Sequence, residues 1–365
     1  MAEAIKNIYN YESLHKLAMD IKSAYSEFQA DEFLQSVMDE TWEKLEFKNR
    51  ITQISVNLGK YLPDDFETAI GIIDKVVMNY EKGLDIFALF FPAFVELYGR
   101  DEANWDISMA ALARYTQYAS AEFAVRWFII NHEERMMAQM YAWSKDENEF
   151  IRRLASEGCR PALPWGQALN SFKKDPSPIL PILEQLKTDP SACVRKSVAN
   201  NLNDISKTHP DLVLNLVKDW YGKNEYTDWI VKHGCRTLLK KRNREALALF
   251  GYDDNTSVEV RNFNLETTSV SIGEDIIFSF EIFAQKAVKV RLEYGIDYVK
   301  SSGKRNRKIF KISEIALKEN EKKSYVKKHS FADVSVRKHY PGIHLVTLIV
   351  NGMEVGAQEF MLEPV

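Results

Sequence analysis

Residues 151–165 read IRRLASEGCRPALPW, and their pattern of apolar and basic residues returns twice further along the chain. A second copy, VRKSVANNLND, begins at Val194, and a looser third copy, VKHGCRTLLK, begins at Val231. Periods of roughly 37 to 43 residues that each hold two short helices are typical of HEAT-type repeats. Because such helix pairs stack so that their inner helices line one concave face, the three copies predict an α-solenoid.

The charged residues of the three copies follow two different patterns. Basic residues recur in each copy at the same two positions, whereas Glu157 is replaced by Asn200 and then by Thr237. Packing of a repeat requires only its apolar positions, so the recurring basic positions favour a surface that faces phosphate groups. In the alternative interpretation, each basic residue caps or screens its own neighbours. The pairs are Arg152 with Arg153, Arg195 with Lys196, and Lys232 with His233.

The composition is that of a globular protein with an uneven charge distribution. The chain has 365 residues, 45% of them hydrophobic and 27% charged, and this length allows two domains. The net charge is −4, but residues 1–149 hold 14 Lys and Arg against 26 Asp and Glu, whereas residues 150–250 hold 17 against 10. The basic excess in the repeats predicts an anionic partner there.

Membrane spans, secretion and metal binding are not predicted. The longest near-continuous apolar run, residues 86–95, is about half as long as a membrane-spanning helix. The N-terminal residues lack the apolar region of a secretory signal, so we expect a cytoplasmic protein. Three cysteines without a CxxC motif, and histidines without a second ligand at metal spacing, predict no metal site.

Beyond Gly251 the pattern changes from helical to strand-like. Residues 276–282 and 288–294 alternate apolar and polar side chains, as half-buried strands do. Asn351 and Gly352, between two apolar runs, predict a two-residue hairpin turn. About seven strands in about 110 residues indicate an immunoglobulin-like β-sandwich. We therefore predict a HEAT-like domain at residues 1–252 and a sandwich at residues 255–365.

One basic segment of the predicted sandwich stands out. Residues 300–311, KSSGKRNRKIFK, contain six Lys or Arg among twelve residues and are predicted to form a loop between two strands. Such a composition is typical of a loop that contacts a nucleic-acid backbone. The alternative is a solvated hairpin tip.

Three acidic residues are surrounded by small or apolar neighbours on or near successive inner helices: Glu122, Glu157 and Asp204. An unpaired buried carboxylate is costly. In one interpretation each acid therefore pairs with a nearby arginine, such as Arg126, Arg160 or Arg195, for stability. In the other, the acids form a cluster in a basic groove, which would stabilise positive charge while phosphates are held around it.

Trp165 follows two prolines in RPALPW. The arginine pair at the start of the segment predicts a helix whose next two turns carry Glu157, Arg160 and Trp165, while the prolines predict a stiff loop around the indole. An indole held in this way either stacks on a base or ribose, or fills a junction between repeats.

Taken together, these segments resemble the AlkC type of DNA alkylation repair glycosylase. The resemblance spans residues 5–252 and takes in RRLASEGCRPALPW, DPSPILPILEQLK, VRKSVANNLNDISK, TDWIVKHGCRTLLK, EALALFGY and FAVRWFI. Members with an additional C-terminal immunoglobulin-like domain form a subgroup, and residues 255–365 fit that description.

The resemblance implies a monofunctional DNA glycosylase of base excision repair, which removes the cationic bases 3-methyladenine and 3-methylcytosine from double-stranded DNA. It implies Glu122 in AEFAVR, Glu157 in LASEGCRP and Asp204 in NNLND as the catalytic acids. Trp165 in RPALPW would line the lesion pocket. No cofactor, membrane or obligate protein partner is expected.

The chemistry of a cationic base fits the glycosylase activity that the resemblance implies, because such a base is a good leaving group. The enzyme then has to stabilise an oxocarbenium-like sugar and position a water molecule. We expect Glu157 to activate the water and the other two acids to support the sugar, with the protein at the nucleoid when it acts. The residues expected to bind DNA are Arg152, Arg153, Arg160, Arg195, Lys196, Lys232 and Arg236 in the repeats, and Lys304, Arg305 and Arg307 in the sandwich.

Two other functions are compatible with the same sequence. A non-catalytic HEAT scaffold for a protein partner explains the solenoid and the sandwich but leaves the acids and the arginine pairs unexplained. A protein that binds damaged DNA without excising a base would use the same binding residues, so only an activity assay separates it from a glycosylase.

Overall fold

The computed structural model describes residues 5–333 and 338–364, with helices up to Leu249 and strands from Val258 onward. This order confirms the predicted fold class, a HEAT-like α-solenoid followed by an immunoglobulin-like sandwich. The helices are α1 (Tyr11–Ala24), α2 (Ala30–Val37), α3 (Phe47–Tyr61), α4 (Phe66–Val77), α5 (Phe90–Tyr98), α6 (Trp105–Tyr115), α7 (Val125–Asn131), α8 (Glu133–Trp143), α9 (Glu149–Glu157), α10 (Asn170–Lys174), α11 (Leu180–Leu186), α12 (Ala192–Ile205), α13 (Pro210–Trp220), α14 (Glu225–Gly234), α15 (Arg236–Lys240) and α16 (Arg244–Leu249). The strands are β1 (Val258–Leu265), β2 (Ser269–Ser271), β3 (Asp275–Ala284), β4 (Val288–Val299), β5 (Arg305–Leu317), β6 (Lys322–Ser330), β7 (Gly342–Val350) and β8 (Met353–Glu363).

The chain forms two compact units. The first runs to His209 and includes Asp219–Gly234, and the second comprises Pro210–Lys218 and the chain from Cys235 onward. Residues 253–255 belong to neither a helix nor a strand. The division into domains at residues 1–252 and 255–365 stays a prediction. Among the helices of the described residues, none is both long and apolar enough to cross a membrane.

The inner helices of the repeats begin with side-chain caps. The Asn148 side chain accepts a hydrogen bond from the Phe150 amide before α9, and Ser191 does the same for the Cys193 and Val194 amides before α12. The first amides of a helix have no partner within it, so a polar residue at the cap stabilises the helix start. Helices α9 and α12 therefore start where the sequence supplies such a residue.

The apolar positions of the repeated segment form the interface between these helices. Helix α9 packs on α12, and α12 packs on α14. Leu154, Val198, Leu202 and Ile230 are fully buried there, and each such side chain contributes roughly 1.5–3 kcal/mol relative to an exposed one. The predicted role of the apolar positions is confirmed.

Helix α9 ends at Glu157 and is therefore shorter than the sequence pattern predicted. A Cβ atom on Gly158 would lie 2.6 Å from Val125 Cγ2 and 2.9 Å from Met140 Cε, so the chain passes its neighbours closely only where a side chain is absent. Pro161 and Pro164 then lack amide donors for further helical turns. The prediction that helical turns carry Arg160 and Trp165 is wrong: both lie in a loop, residues 158–167.

The sandwich consists of two sheets with strand orders β1-β3-β6 and β2-β8-β7-β4-β5. Phe278 and Phe280 of β3 and Leu292 and Ile296 of β4 are buried in the core between them. Asn351 and Gly352 have positive φ angles of 46° and 78° and join β7 to β8. The predicted hairpin is therefore confirmed.

The predicted basic loop at residues 300–311 is wrong over most of its length. Strand β5 begins at Arg305 and pairs with β4 from Val299 onward, so only residues 300–304 connect the strands. The connection is closed by a hydrogen bond from the Lys300 amide to the Lys304 carbonyl (2.9 Å), and Gly303 adopts a φ of +73°. The high density of basic residues suggested a loop, but from Arg305 onward the segment is a strand whose side chains alternate between the two faces of the sheet.

Candidate active site

A cleft of about 350 Å³ lies beside the C-terminal end of α9. It brings together five residues that the sequence analysis selected. The polar lining includes Glu122, Arg153, Glu157 and Arg160, and Trp165 stands at its edge with 61% of its surface exposed. Apolar walls come from Leu84, Ile86, Leu89, Phe123, Leu163 and Pro164.

Glu122 is held by a serine and an arginine. It lies in the turn before α7, where its Oε2 accepts hydrogen bonds from Ser120 Oγ (2.7 Å) and Arg153 Nη2 (2.8 Å). Arg153 also donates from Nη1 to Ser120 Oγ (2.9 Å), which closes a ring of three side chains. The carboxylate is thereby fixed at the cleft with its charge balanced by one guanidinium.

A second, more buried group links Glu157 to Asp204 through Arg160. Arg160 donates from Nη1 to Glu157 Oε1 (2.5 Å) and from Nε to Asp204 Oδ2 (2.9 Å). Lys207 donates to the other carboxylate oxygen of Asp204 (2.7 Å). Glu157 is 6% exposed and Asp204 is 4% exposed, so the two negative charges are compensated largely by protein donors rather than by water.

The electrostatics of the cleft keep its arginines charged. Burial acts to lower the pKa of Arg160, but Glu157 and Asp204 together raise it above the ordinary arginine value. In the same way, burial opposes and Glu122 favours the protonated form of Arg153, and the pKa of Arg153 is raised overall. Both guanidinium groups are therefore permanent cations that hold acids in place.

Glu157 differs from Asp204 in what it can offer a ligand. Within residues 5–333 and 338–364, no protein donor contacts Oε2 of Glu157, whereas both oxygens of Asp204 accept hydrogen bonds. Asp204 is also not among the described residues that line the cleft. The structure thus places Glu122 and Glu157 at the cleft and Asp204 behind Arg160. No group of three or more His, Cys, Asp or Glu in the described ranges could hold a metal ion.

Trp165 is positioned by backbone strain and by the first turn of α3. Its φ of +63° lies in the left-handed region, which is unfavourable for a residue of this size. Lys48 donates from Nζ to the Trp165 carbonyl (2.7 Å), and the Phe47 ring lies 6.0 Å from the indole. The indole is therefore presented at the cleft edge rather than packed as a plug between repeats.

The pairing of acids with arginines confirms one of the three arginines that the stability interpretation named, because Arg160 pairs with both Glu157 and Asp204. Neither Arg126 nor Arg195 pairs with any of the three acids in the described structure. Sequence reasoning missed Ser120 and Lys207. Lys207 had a usable signal, because it lies three residues after Asp204 on α12 and its first following turn, whereas Ser120 had none.

Two residues of the predicted phosphate-facing track have a structural role. Arg152 donates from Nη1 to the carbonyls of Asp146 (2.9 Å) and Glu147 (2.8 Å), and Arg195 repeats this contact with Asp189 (2.9 Å) and Pro190 (2.6 Å). Arg152 also forms a two-bond ion pair with Asp189 (2.6 and 3.1 Å). The capping interpretation thus describes the geometry of both, and their contact with DNA stays a prediction.

The remaining basic residues of the repeats are more accessible. Lys196 and Lys232 are exposed and Arg236 is partly exposed, whereas Arg153 and Arg160 belong to the cleft. A flexible exposed ammonium such as that of Lys196 can reach a phosphate group. The geometry is therefore compatible with DNA contacts by the lysines.

The three basic residues selected in the sandwich also differ from one another. Lys304 is exposed in the short hairpin connection. Arg305 donates to the Ile343 carbonyl and to Glu359 (both 2.9 Å). Arg307 forms a two-bond ion pair with Asp297 (2.8 and 2.7 Å) and another with Glu354 (2.6 Å). Only Lys304 of the three is presented without an ion pair in the described structure.

Known proteins match both parts of this chain. A family model described as "DNA alkylation repair enzyme" matches residues 93–246, and one described as "Uncharacterised protein YhaZ, C-terminal Ig-like domain" matches residues 259–364. Uncharacterized protein YhaZ of Bacillus subtilis (strain 168) is 46% identical over 358 residues, which cover 98% of this chain and 99% of YhaZ. The chain also superposes on a solved structure of the alkylpurine DNA glycosylase AlkC of Pseudomonas fluorescens bound to DNA containing an abasic site analog. That match has 37% identity and a TM-score of 0.94, and it covers 99% of this chain and all of the other.

The chain belongs to the AlkC type of DNA alkylation repair enzymes. The resemblance stated from sequence motifs is thereby confirmed, including the subgroup with a C-terminal immunoglobulin-like domain. In this AlkC-type chain, Glu122 and Glu157 lie within the residues that match the DNA alkylation repair model.

Proposed function

We propose that the protein is a monofunctional DNA glycosylase that hydrolyses the N-glycosidic bond of cationic N3-methylated bases, 3-methyladenine and 3-methylcytosine, in double-stranded DNA. The observation that carries the proposal is a cleft where two carboxylates, each held by an arginine, lie beside an exposed indole. The similarity to AlkC over the whole chain supports DNA as the partner.

The proposed reaction requires little acid catalysis. The methylated base carries a positive charge, so it takes the electron pair of the glycosidic bond and leaves as a neutral molecule. The sugar then gains oxocarbenium character, which fixed carboxylates stabilise. Water attacks the anomeric carbon, and Glu157, through its Oε2, accepts the water proton as general base.

The three acids have different tasks in this proposal. Glu157 activates water, and Glu122 supports the cationic sugar from the other part of the cleft. Asp204 acts through Arg160: it holds the guanidinium that in turn holds Glu157. Asp204 is thus a positioning residue whose charge also contributes to the negative potential around the sugar.

Trp165 is proposed to contact the lesion from the rim of the cleft. Its indole is exposed, and the loop that carries it projects no side chain over it that would bury it. Stacking of an aromatic ring on a base contributes roughly 1–3 kcal/mol. A cationic base gains further attraction to the negative face of the indole.

Hydrolysis by water, rather than attack by an amine, fits the lining of the cleft. No lysine is among its described lining residues, and strand cleavage through a Schiff base needs a lysine or another amine at the reacting carbon. The product is therefore expected to be DNA with an intact strand and an abasic site.

The test is to incubate methylated double-stranded DNA with the protein and identify the released bases by chromatography and mass spectrometry. We expect free 3-methyladenine and 3-methylcytosine from the wild type and neither from the Glu157→Gln/Asp204→Asn double variant. A matched control, Glu134→Gln/Asp211→Asn, changes the same charges on exposed helix positions and should retain excision. Release of no base by the wild type would contradict the proposal, and tight binding without release would favour the damaged-DNA-binding alternative.

A further inference from the structure

Arg126 is a buried arginine that contacts no carboxylate among the described residues, and its partners all lie in the loop of residues 158–167. We infer that Arg126 is a positioning residue for base excision: it fixes the loop that presents Arg160 and Trp165 to the cleft. The inference rests on the proposed function and adds a residue that does not itself touch the acids.

The contacts of Arg126 reach both ends of the loop. From α7, its Nη1 donates to the carbonyls of Gly158 (2.9 Å) and Arg160 (3.0 Å), and its Nε donates to the carbonyl of Gln167 (2.5 Å). The side chain is 1% exposed. One rigid planar guanidinium therefore joins the two ends of the loop, because it donates to carbonyls just after α9 and to the carbonyl of Gln167.

The loop needs such an external support. It contains two prolines without amide donors, and Trp165 holds a strained left-handed backbone conformation. Within the loop, the Gly166 amide donates to the Leu163 carbonyl (3.1 Å), and the Pro161 carbonyl accepts a hydrogen bond from the Leu169 amide just beyond the loop (3.2 Å). A strained conformation persists only where surrounding contacts over-determine it, and Arg126 supplies three of them, with Lys48 as a fourth.

An arginine suits this position through its Nε and Nη1 donors, while its Nη2 has no hydrogen-bond partner among the described residues. Buried carbonyls require donors, and a guanidinium offers five donors in a fixed planar fork, whereas the three donors of a lysine share one nitrogen atom at the end of a flexible chain. Burial lowers the pKa of Arg126 to about 10, so the group still carries its charge under physiological conditions. Burying a cation that has no ion pair is costly, which argues that the loop geometry, rather than packing alone, is what the residue provides.

The functional consequence follows from the position of Arg160 on this loop. Its carbonyl is bonded by Arg126, and its guanidinium bonds Glu157 and Asp204. A shift of the loop therefore moves Glu157, its arginine and the indole together. Misplacement of reacting groups by about 1 Å lowers a rate roughly 100-fold.

The experiment compares Arg126→Lys and Arg126→Ala with Arg50→Lys. Arg50 serves as the control, since it is also buried and also donates to two carbonyls, those of Lys6 (3.1 Å) and Tyr9 (3.0 Å), but it pairs with Glu43 (3.5 Å) and does not line the cleft. Three quantities are measured below the unfolding temperature of each variant: the single-turnover excision rate, the affinity for DNA with an abasic site, and amide hydrogen exchange in residues 158–169.

We expect Arg126→Lys to lose about 100-fold in excision rate, to bind DNA within a few-fold of the wild type, and to exchange faster in residues 158–169 only. Arg50→Lys should excise within a few-fold of the wild type, and added guanidinium should restore part of the rate of Arg126→Ala. If Arg126→Ala does not fold, Arg126→Lys decides the question. A wild-type excision rate in either folded Arg126 variant, or unchanged exchange in the loop, overturns the inference. Because hydrogen exchange does not depend on catalysis, failure of the proposed function, seen as a wild type without excision, remains distinguishable.

Discussion

Helices α9 and α12 begin with the same chemistry and diverge where they approach the cleft. Each is preceded by a capping residue, and the first arginine of each, Arg152 or Arg195, donates to two carbonyls of the preceding turn. Further along, α9 ends at Glu157, whereas α12 has Asn200 at that position and continues to Ile205. The features that the two helices share, the cap and the first arginine, therefore stabilise the helix start. The residue that differs between them, Glu157 or Asn200, lies further along the helix.

The second basic position of the pair supports this distinction. Arg153 in α9 is engaged by Glu122 and Ser120 at the cleft, whereas Lys196 in α12 is exposed. A recurring charge in a repeat thus has three outcomes in this protein: a carbonyl cap, a partner for a cleft acid, or an exposed cation. The position of a basic residue within the repeat does not distinguish these three roles, but the effects of replacing each residue do.

The largest effect is expected for Glu157→Gln, compared with Asn200→Gln at the equivalent position of the next copy. Loss of a general base lowers a rate by roughly 10²–10⁴-fold, so single-turnover excision of 3-methyladenine by Glu157→Gln should fall by about that factor. Asn200→Gln should excise within a few-fold of the wild type. Equal losses of rate in both variants would mean that the carboxylate of Glu157 has no specific role. Near-normal excision by Glu157→Gln would show that Glu157 is not the general base.

The second prediction concerns the arginines that cap the helices. Arg152→Ala leaves the buried carboxylate of Asp189 without its ion pair, so we expect the free energy of unfolding to fall by about 3 kcal/mol. Arg195→Ala removes hydrogen bonds to two carbonyls and a contact over the Tyr226 ring (4.1 Å), so the loss should be about 1–2 kcal/mol. Urea unfolding followed by circular dichroism measures both values. A smaller loss for Arg152→Ala than for Arg195→Ala would contradict the ion-pair argument.

The sequence predicted most of the fold because apolar periodicity is a local property. The repeats, the sandwich and the hairpin at Asn351 all follow from short patterns of residues. The errors arose where a local pattern was overridden. Gly158 and Pro161 end α9 early, and β5 extends through a segment whose many cations resemble a loop, because it pairs with β4.

The candidate site was predictable only in part. Motif resemblance selected the acids and Trp165, but not which cation holds which acid. The pairs join residues far apart in sequence, 31 positions for Glu122 with Arg153 and 44 for Arg160 with Asp204. Such contacts depend on the stacking of whole helices, so side-chain spacing within one segment carries no signal for them. Arg126 illustrates this limit, since its partners are carbonyls.

A third prediction compares two exposed lysines with an arginine whose side chain is bonded to carbonyls. Lys196→Ala and Lys232→Ala should each reduce the slope of log affinity against log salt by about 0.9, the value for one phosphate contact. Arg195→Gln, whose native side chain is bonded to carbonyls, should leave the slope unchanged. Fluorescence titration with duplex DNA over a salt series measures the slopes. An unchanged slope for both lysine variants would remove these residues from the DNA-binding surface.

The smallest effect is expected in the sandwich, where the same distinction between exposed and engaged cations applies. Lys304 is exposed in the connection between β4 and β5, and we expect Lys304→Ala to weaken duplex binding only a few-fold while lowering the salt slope by about 0.9. Arg307 is bonded to Asp297 and Glu354, so Arg307→Ala should lower the unfolding temperature of the sandwich and leave the salt slope of the folded protein unchanged. The reverse result, a lower slope for Arg307→Ala alone, would show that an arginine can leave its ion pairs for a phosphate. The contacts of a cation in the free protein would then no longer indicate whether it binds DNA, and the assignment of Arg152 and Arg195 to the scaffold would need the same test.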